Sequence, residues 1–230
     1  MSKITKSSTA EYFAKNLQQV GFSSPLKAVL TTLKEAVDNS LDACEHAGIL
    51  PELKVEIYRK GAGSTKNTEL IHIAVEDNGP GIDPDDLAKV FGEYLASSKF
   101  GKGQCSRGQQ GIGISAATTW AQLTNAKGAY VITKRENMRK AVSAQVDVDI
   151  KSNTGVVRRK ETIEWGDKKS GVRCEFLLDG RIQLNGDGGL ITYLEGTVLV
   201  NPHLTLHYKL LDQDWPSRAA YSVMISALSR

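Results

Sequence analysis

The sequence predicts an α+β fold: a two-layer sandwich with helices on one face of a mixed, mainly antiparallel sheet. Three observations predict it. A long amphipathic helix pattern comes early, at residues 25–47. After Pro51 the hydrophobic period changes from three-and-four to two and stays so through most of the chain. The strand patterns then run in series, with the helices set apart from them instead of alternating one for one.

Residues 9–20 form the first predicted helix, capped by Ser8 or Thr9 and stopped by Gly21. Residues 25–47 form the second, with Ser24 as its cap, Pro25 in the first turn and Gly48 past its end. Leu26, Leu30, Leu33, Val37, Leu41 and Cys44 recur at helical spacing and make one apolar stripe. Residues 53–59 and 70–76 alternate as strands joined by a flexible segment, 60–68. Asp83-Pro84 starts a short helix reaching Val90. Residues 92–113 are a long glycine-rich loop that feeds a helix ending near Leu123. Strands at 129–134, 141–150, 155–165 and 172–178 follow, then a helix at 190–200 and a strand at 204–210. Residues 221–228 read as a short helix or a frayed end. No repeat of 20 to 50 residues is visible, which excludes solenoids and propellers.

The 230 residues are 40% hydrophobic and 24% charged, enough for a domain with its own core and unlike a disordered or fibrous chain. The net charge of +3 is too small to argue for nucleic-acid binding from electrostatics alone. Cys44, Cys105 and Cys174 are odd in number with no paired spacing, so they are expected as reduced thiols. The first residues lack a signal-peptide apolar core, and no apolar run approaches the ~20 residues that span a bilayer. A soluble cytoplasmic protein with no membrane partner is expected.

At 100° per residue Glu35, Asp38, Asn39 and Asp42 share one arc of the second helix, opposite its apolar stripe. A solvated face is the plain reading. Against it, Asp and Asn each cost roughly 0.5–0.7 kcal/mol inside a helix relative to Ala. The like-charge pairs Glu35/Asp38 and Asp38/Asp42 each cost a few tenths of a kcal/mol more. A cation and a phosphorylated ligand over this face would repay both.

Asp77-Asn78-Gly79-Pro80-Gly81-Ile82 leaves the second strand directly. Such residues make a tight turn in any protein. They also suit a carboxylate at a strand end that accepts from an exocyclic amine, with Gly79 and Gly81 letting a ring approach the backbone. Glycines at 101, 103, 108, 111 and 113 precede the next helix. Glycine-rich backbone entering a helix N-terminus is anion-binding geometry, although neither a Walker A nor a Rossmann motif is present.

The order is Glu35-x-x-x-Asn39 on a helix, Asp77-x-Gly79-x-Gly81 after a strand, then Gly108-x-x-Gly111-x-Gly113. It resembles the Bergerat-fold (GHKL) ATPases, a group holding gyrase-type topoisomerases, mismatch-repair ATPases, heat-shock chaperones and sensor histidine kinases. KEAVDNSLDACEHAGILPELKVEI (34–57), FGEYLASSKF (91–100) and SRGQQGIGISAA (106–117) narrow this. Together they resemble the B subunit of type IIB DNA topoisomerase, topoisomerase VI, from about residue 8 to residue 211. The resemblance implies a GHKL ATP-binding domain at 21–211, an N-terminal dimerisation arm at 1–20 and a tail at 212–230. It makes Glu35 the general base toward the γ-phosphate and Asn39 the ligand of Mg²⁺. Asp77 would read adenine, with Gly79, Gly81 and Ile82 shaping the base pocket. Asp42, Ser98, Lys99 and the stretch Gly108, Gln109, Gln110, Gly111, Ile112 and Gly113 would complete the ATP site. The implied partners are a topoisomerase VI A-type subunit, a second copy joined by ATP, and duplex DNA held in the full complex but weakly by this chain alone.

Two departures stand out. Relatives often have Gly-Thr where this chain has Gly171-Val172, so the water-mediated hydroxyl contact to adenine is missing. The chain ends at Arg230, before the helix-two-turns-helix and transducer domains and the transducer lysine that meets the γ-phosphate, so weak hydrolysis is expected. The alternatives are a truncated nucleotide-binding dimerisation module without hydrolysis, or another GHKL ATPase of chaperone or mismatch-repair type. A histidine kinase is disfavoured, because none of the four histidines sits in a phosphoacceptor helix pattern.

Overall fold

The structure, a computed structural model, describes residues 8–95, 111–212 and 221–226, with 211–212 and 221–226 as backbone only. The elements are α1 (Thr9–Lys15), a 3-10 turn (Leu17–Val20), α2 (Pro25–His46), β1 (Glu52–Ala62), β2 (Glu69–Glu76), α3 (Leu87–Gly92), α4 (Gly113–Asn125), β3 (Ala129–Lys134), β4 (Ala141–Asp149), β5 (Thr154–Ile163), β6 (Gly171–Gly180), α5 (Leu190–Val200), β7 (Thr205–Asp212) and β8 (Tyr221–Ser226).

The strands form one sheet in the order β5-β4-β3-β6-β2-β1-β7-β8. Every pairing is antiparallel except β1 with β7. That one parallel pair arises because the chain returns to β1 through α5, a crossover that parallel strands require.

One face of the sheet is apolar. Leu53, Val55 and Ile57 of β1, Ile71 and Ile73 of β2 and Phe176 and Leu178 of β6 point into a single core with Leu33, Val37 and Leu41 of α2 and Leu190 and Leu194 of α5. Each such side chain removed from water contributes about 1.5–3 kcal/mol. The alternate positions carry charge. Arg173 pairs with Glu56 at 2.7 Å and Glu175 at 2.6 Å, and His72 meets Glu175 at 2.9 Å. This alternation leaves the helices one face to cover, and the expected two-layer α+β sandwich follows.

α2 forms as its sequence dictates. Ser24 accepts from the Lys27 N–H at 3.2 Å, Pro25 sits in the first turn, and Gly48 leaves the helix with φ +68°. Its apolar stripe is deeply buried, with Leu33 and Val37 wholly inaccessible, and that burial places the opposite arc against the rest of the site.

Four expectations need correction. The first helix breaks at Asn16, which leaves helical geometry (φ −130°, ψ 35°) with its amide nitrogen donating to the Tyr12 carbonyl; the chain goes on as a 3-10 turn to Gly21. Segment 60–68 is a fixed turn. β1 extends to Ala62, the Ser64 N–H donates to the buried Asp179 carboxylate at 2.7 Å, and the Thr68 hydroxyl reaches the same oxygen at 3.2 Å. The short helix begins at Leu87 instead of Pro84, because Asp83 caps only a turn, accepting from the Asp85 N–H at 3.1 Å. Residues 221–226 are a strand: β7 offers them an antiparallel partner, and that pairing overrides the weak helical reading.

Candidate nucleotide-binding site

The acidic arc of α2 is not a solvated face. Glu35, Asp38 and Asn39 are half-buried and Asp42 is 3% exposed. Lys34 turns away, its ammonium 5.5 Å from the ring centroid of Tyr193 on α5. Asp38 and Glu35 face the same tyrosine, whose phenol burial, then these two charges, push upward in pKa.

Glu35 reaches across to the start of α4. Its carboxylate lies where a β-carbon on Gly113 would stand, so glycine is required there for the two helices to meet in this way. α4 begins with Ile112 at its cap position and no side-chain cap. Its first N–H groups and the positive end of its dipole therefore lie beside the Glu35 carboxylate. Just ahead, Gly111 (φ +61°) accepts from the Leu95 N–H at 3.0 Å, which joins the two described ends of the glycine-rich loop. Tyr94 anchors that junction. Its hydroxyl donates to Thr119 of α4 at 2.7 Å, and its ring stacks on Phe13 of α1 at 5.2 Å.

Asp77 forms the other wall. It is 3% exposed at the end of β2. Its Oδ1 accepts from the N–H groups of Gly79 at 2.9 Å and Val172 at 3.0 Å, and its Oδ2 accepts from the Ser40 hydroxyl of α2 at 2.9 Å. Burial raises its pKa, against the lowering effect of those three donors and the Lys168 ammonium. Lys168 also pairs with Glu76 at 2.6 Å. Oδ2, with one donor, keeps acceptor capacity in a carboxylate already fixed in place.

The loop after Asp77 is pinned on both flanks. The side chain of Asn78 accepts from the Glu52 N–H at 2.9 Å and donates to the Leu50 carbonyl at 3.0 Å. Gly81 has φ +76° and packs so tightly on the Lys134 carbonyl that no side chain fits. Its need for glycine thus comes from the protein's own backbone. Thr133 of β3, wholly buried, accepts from the Ile82 N–H and donates to the Ile82 carbonyl, both at 2.8 Å. A cavity of about 420 Å³ opens beside this loop, lined by Pro80, Arg135, Glu136 and Asn137.

The fold thus brings Glu35 against Gly113 at the α4 start, next to Gly111 and Ile112, and ties Asp77 and Gly79 to α2 through Ser40, Ala43 and Cys44; Asn39 and Asp42 lie on the same arc of α2, while Gly81 and Ile82 pack on the end of β3. Ser98, Lys99, Gly108, Gln109 and Gln110 lie outside the described residues. Ser40, Thr133 and Lys168 belong to no motif visible in the sequence. A threonine at an inward-facing strand position was the available signal for Thr133, since such a hydroxyl must find a partner. Among the described residues no three His, Cys, Asp or Glu side chains cluster as a metal cage. Asn39 offers a hard amide oxygen, which suits a cation that keeps its waters and takes its other ligands from phosphates.

A two-layer fold with an acid-lined helix, a buried strand-end carboxylate and an uncapped helix start defines a class of nucleotide-binding ATPase domain. The chain belongs to the histidine kinase-, DNA gyrase B- and HSP90-like ATPase family, whose pattern matches residues 26–165. The B subunit of type 2 DNA topoisomerase 6 from Archaeoglobus fulgidus is 41% identical over 201 residues, covering 87% of this chain and 32% of that protein. The same-named protein of Natronomonas pharaonis is 38% identical over 213 residues, covering 93% and 25%. The chain thus spans a quarter to a third of the length of these curated relatives. The ATPase and transducer domains of DNA topoisomerase II from Balamuthia mandrillaris share the fold, with a TM-score of 0.61 at 14% identity over 89% of this chain and 59% of that one. Membership of this family makes the chain an ATP-binding ATPase domain.

Proposed function

We propose that this chain is the ATP-binding part of the B subunit of a type IIB topoisomerase, in which ATP joins two copies and hydrolysis resets a gate for duplex DNA. The observation that carries the reading is the Glu35 carboxylate seated at the start of α4, across the cleft from the buried Asp77. A triphosphate laid along the α4 N-terminus would have its terminal phosphate beside Glu35 and its base toward Asp77.

In this reading Glu35 orients the attacking water and takes its proton. Asp77 accepts from the adenine amine through Oδ2, and Ser40 holds that oxygen in place. Asn39 and the phosphates would hold Mg²⁺, which neutralises phosphate charge when bound. Residues 1–20 would serve as the dimerisation arm, an A-type topoisomerase subunit would cut the DNA, and the complex would work in the cytoplasm. The alternatives, a binding module that no longer hydrolyses or a chaperone or mismatch-repair ATPase, are weaker, because the high-identity relatives are topoisomerase subunits.

The test is titration calorimetry with magnesium and a non-hydrolysable ATP analogue, paired with sedimentation. Saturable binding by the wild type and by Glu35→Ala, with hydrolysis lost only in the variant, supports the reading. Absence of binding, or unchanged turnover in Glu35→Ala, refutes it.

A further inference from the structure

Thr133 stands at a junction that no sequence motif marks. On β3 it lies directly across from Val172 of β6, and the Val172 N–H is one of the donors to Asp77. Both residues follow the inward alternation of their strands, so they form the floor beneath the loop from Asp77 to Ile82. The Thr133 hydroxyl grips that loop at both polar groups of Ile82, each at 2.8 Å. Next to it, Gly81 is pressed on the Lys134 carbonyl. One strand end therefore sets the position of the Gly81-Ile82 backbone, while Asp77 is set separately by Ser40, Gly79 and Val172.

The hydroxyl's capacity matters too. A threonine has one proton to donate, and here it goes to the Ile82 carbonyl. Val172 has no polar side-chain atom. The floor beside Asp77 thus offers a carboxylate acceptor and no free side-chain donor from Thr133 or Val172. A purine carrying an amine at position 6 complements such a floor, and one carrying an oxo group there meets an acceptor with an acceptor.

We propose that Thr133 is a positioning residue for base recognition: by clamping both polar groups of Ile82, Thr133 sets the width of the base pocket and keeps its own donor out of it. The proposal rests on the ATP reading of the cleft. It acts on the base end alone, so the phosphate end should not respond.

The test compares the full chain with Thr133→Val, which keeps the shape and loses the hydroxyl, and with Thr133→Ser, which keeps the hydroxyl. Affinities are measured for the magnesium complexes of an ATP analogue, a GTP analogue and inorganic triphosphate. In Thr133→Val the ATP analogue is expected to bind about tenfold more weakly, its preference over the GTP analogue to shrink by a similar factor, and triphosphate binding to stay within about twofold. Thr133→Ser should restore the wild-type ratios. Hydrogen exchange of the Ile82 amide in the free chain gives a readout independent of any ligand: it should speed up at least about tenfold in Thr133→Val and recover in Thr133→Ser. Unchanged base selectivity, equal loss for triphosphate, or unchanged Ile82 exchange overturns the proposal. Failure of the wild type to bind any of the three ligands sinks the ATP reading instead, and the exchange result still judges the clamp.

Discussion

The carboxylate of Glu35 occupies the space that a β-carbon at residue 113 would fill. This contact joins the middle of α2 to the first residue of α4, and it explains why a helix opens on glycine, a poor helix former. Gly113→Ala should therefore displace the carboxylate without breaking the fold. Alanine gains up to about 1 kcal/mol of helix propensity, which offsets part of the strain. The expected outcome is a melting temperature within a few degrees of wild type, unchanged binding of the ATP analogue, and hydrolysis reduced on the order of a hundredfold, the usual worth of a placed base. Single-turnover hydrolysis beside thermal melting checks this; a rate equal to wild type would remove Glu35 from its assigned place.

Asp77→Asn tests the opposite wall. The amide oxygen can keep the bonds from the Gly79 and Val172 N–H groups, and its nitrogen can donate to Ser40, so the loop should hold. What changes is the atom facing the cleft, now a donor. ATP-analogue affinity should fall by tenfold to a hundredfold, roughly 1–3 kcal/mol, while triphosphate binding barely moves. Calorimetry with both ligands decides, and equal losses would contradict a base-reading role.

The outer face of the sheet predicts an acid-sensitive component of stability. Burial raises the Glu175 carboxyl, but the bonds and charges of His72 and Arg173 outweigh it and bring its pKa to about 2 from 4.5. A depressed pKa means the native state binds its proton less readily than the unfolded chain. The stabilisation is thus complete above pH 4.5 and disappears as pH falls toward 2. This half-buried carboxyl therefore contributes stability near neutral pH that acid removes. Denaturant titrations from pH 5 to pH 2 should show Glu175→Gln losing less stability across that window than wild type does; identical slopes would reject the assignment.

Duplex DNA should bind this chain weakly, with affinity falling steeply as salt rises. The basic side chains on the β4–β5 edge are already paired: Arg158 with Asp147, Arg159 with Glu161, Lys160 with Asp85 and Lys140 with Glu164. Fluorescence anisotropy over a salt series checks this, and nanomolar binding at physiological salt would contradict it.

Where local chemistry and tertiary packing agreed, the fold was legible in the sequence. α2 carried its cap, its first-turn proline, its stripe and its terminal glycine in order, and β3 and α5 matched their hydrophobic periods end to end. Two of the misreadings, at Asn16 and Asp83, come from side chains bonding to nearby backbone, and two come from long-range partners. Nothing near residues 60–68 announces that Asp179, more than 100 residues on, will close that turn. Likewise residues 221–226 become a strand only because β7 is there to pair with. In the site, Glu35 and Asn39 stood out for the local cost of an acid and amide arc inside a helix, and Asp77 for its place in the Asp77-x-Gly79-x-Gly81 order. Ser40 and Thr133 were hidden because a single hydroxyl on a helix or strand carries no such cost until its partner is known.

One crystal structure of this chain with magnesium and a non-hydrolysable ATP analogue addresses the central claim most directly. The prediction is the adenine amine within hydrogen-bond distance of Asp77 Oδ2, magnesium on the Asn39 side-chain oxygen, and the Glu35 carboxylate facing the terminal phosphate beside Gly113. A nucleotide bound elsewhere, or Glu35 turned to solvent with the triphosphate in place, would contradict it.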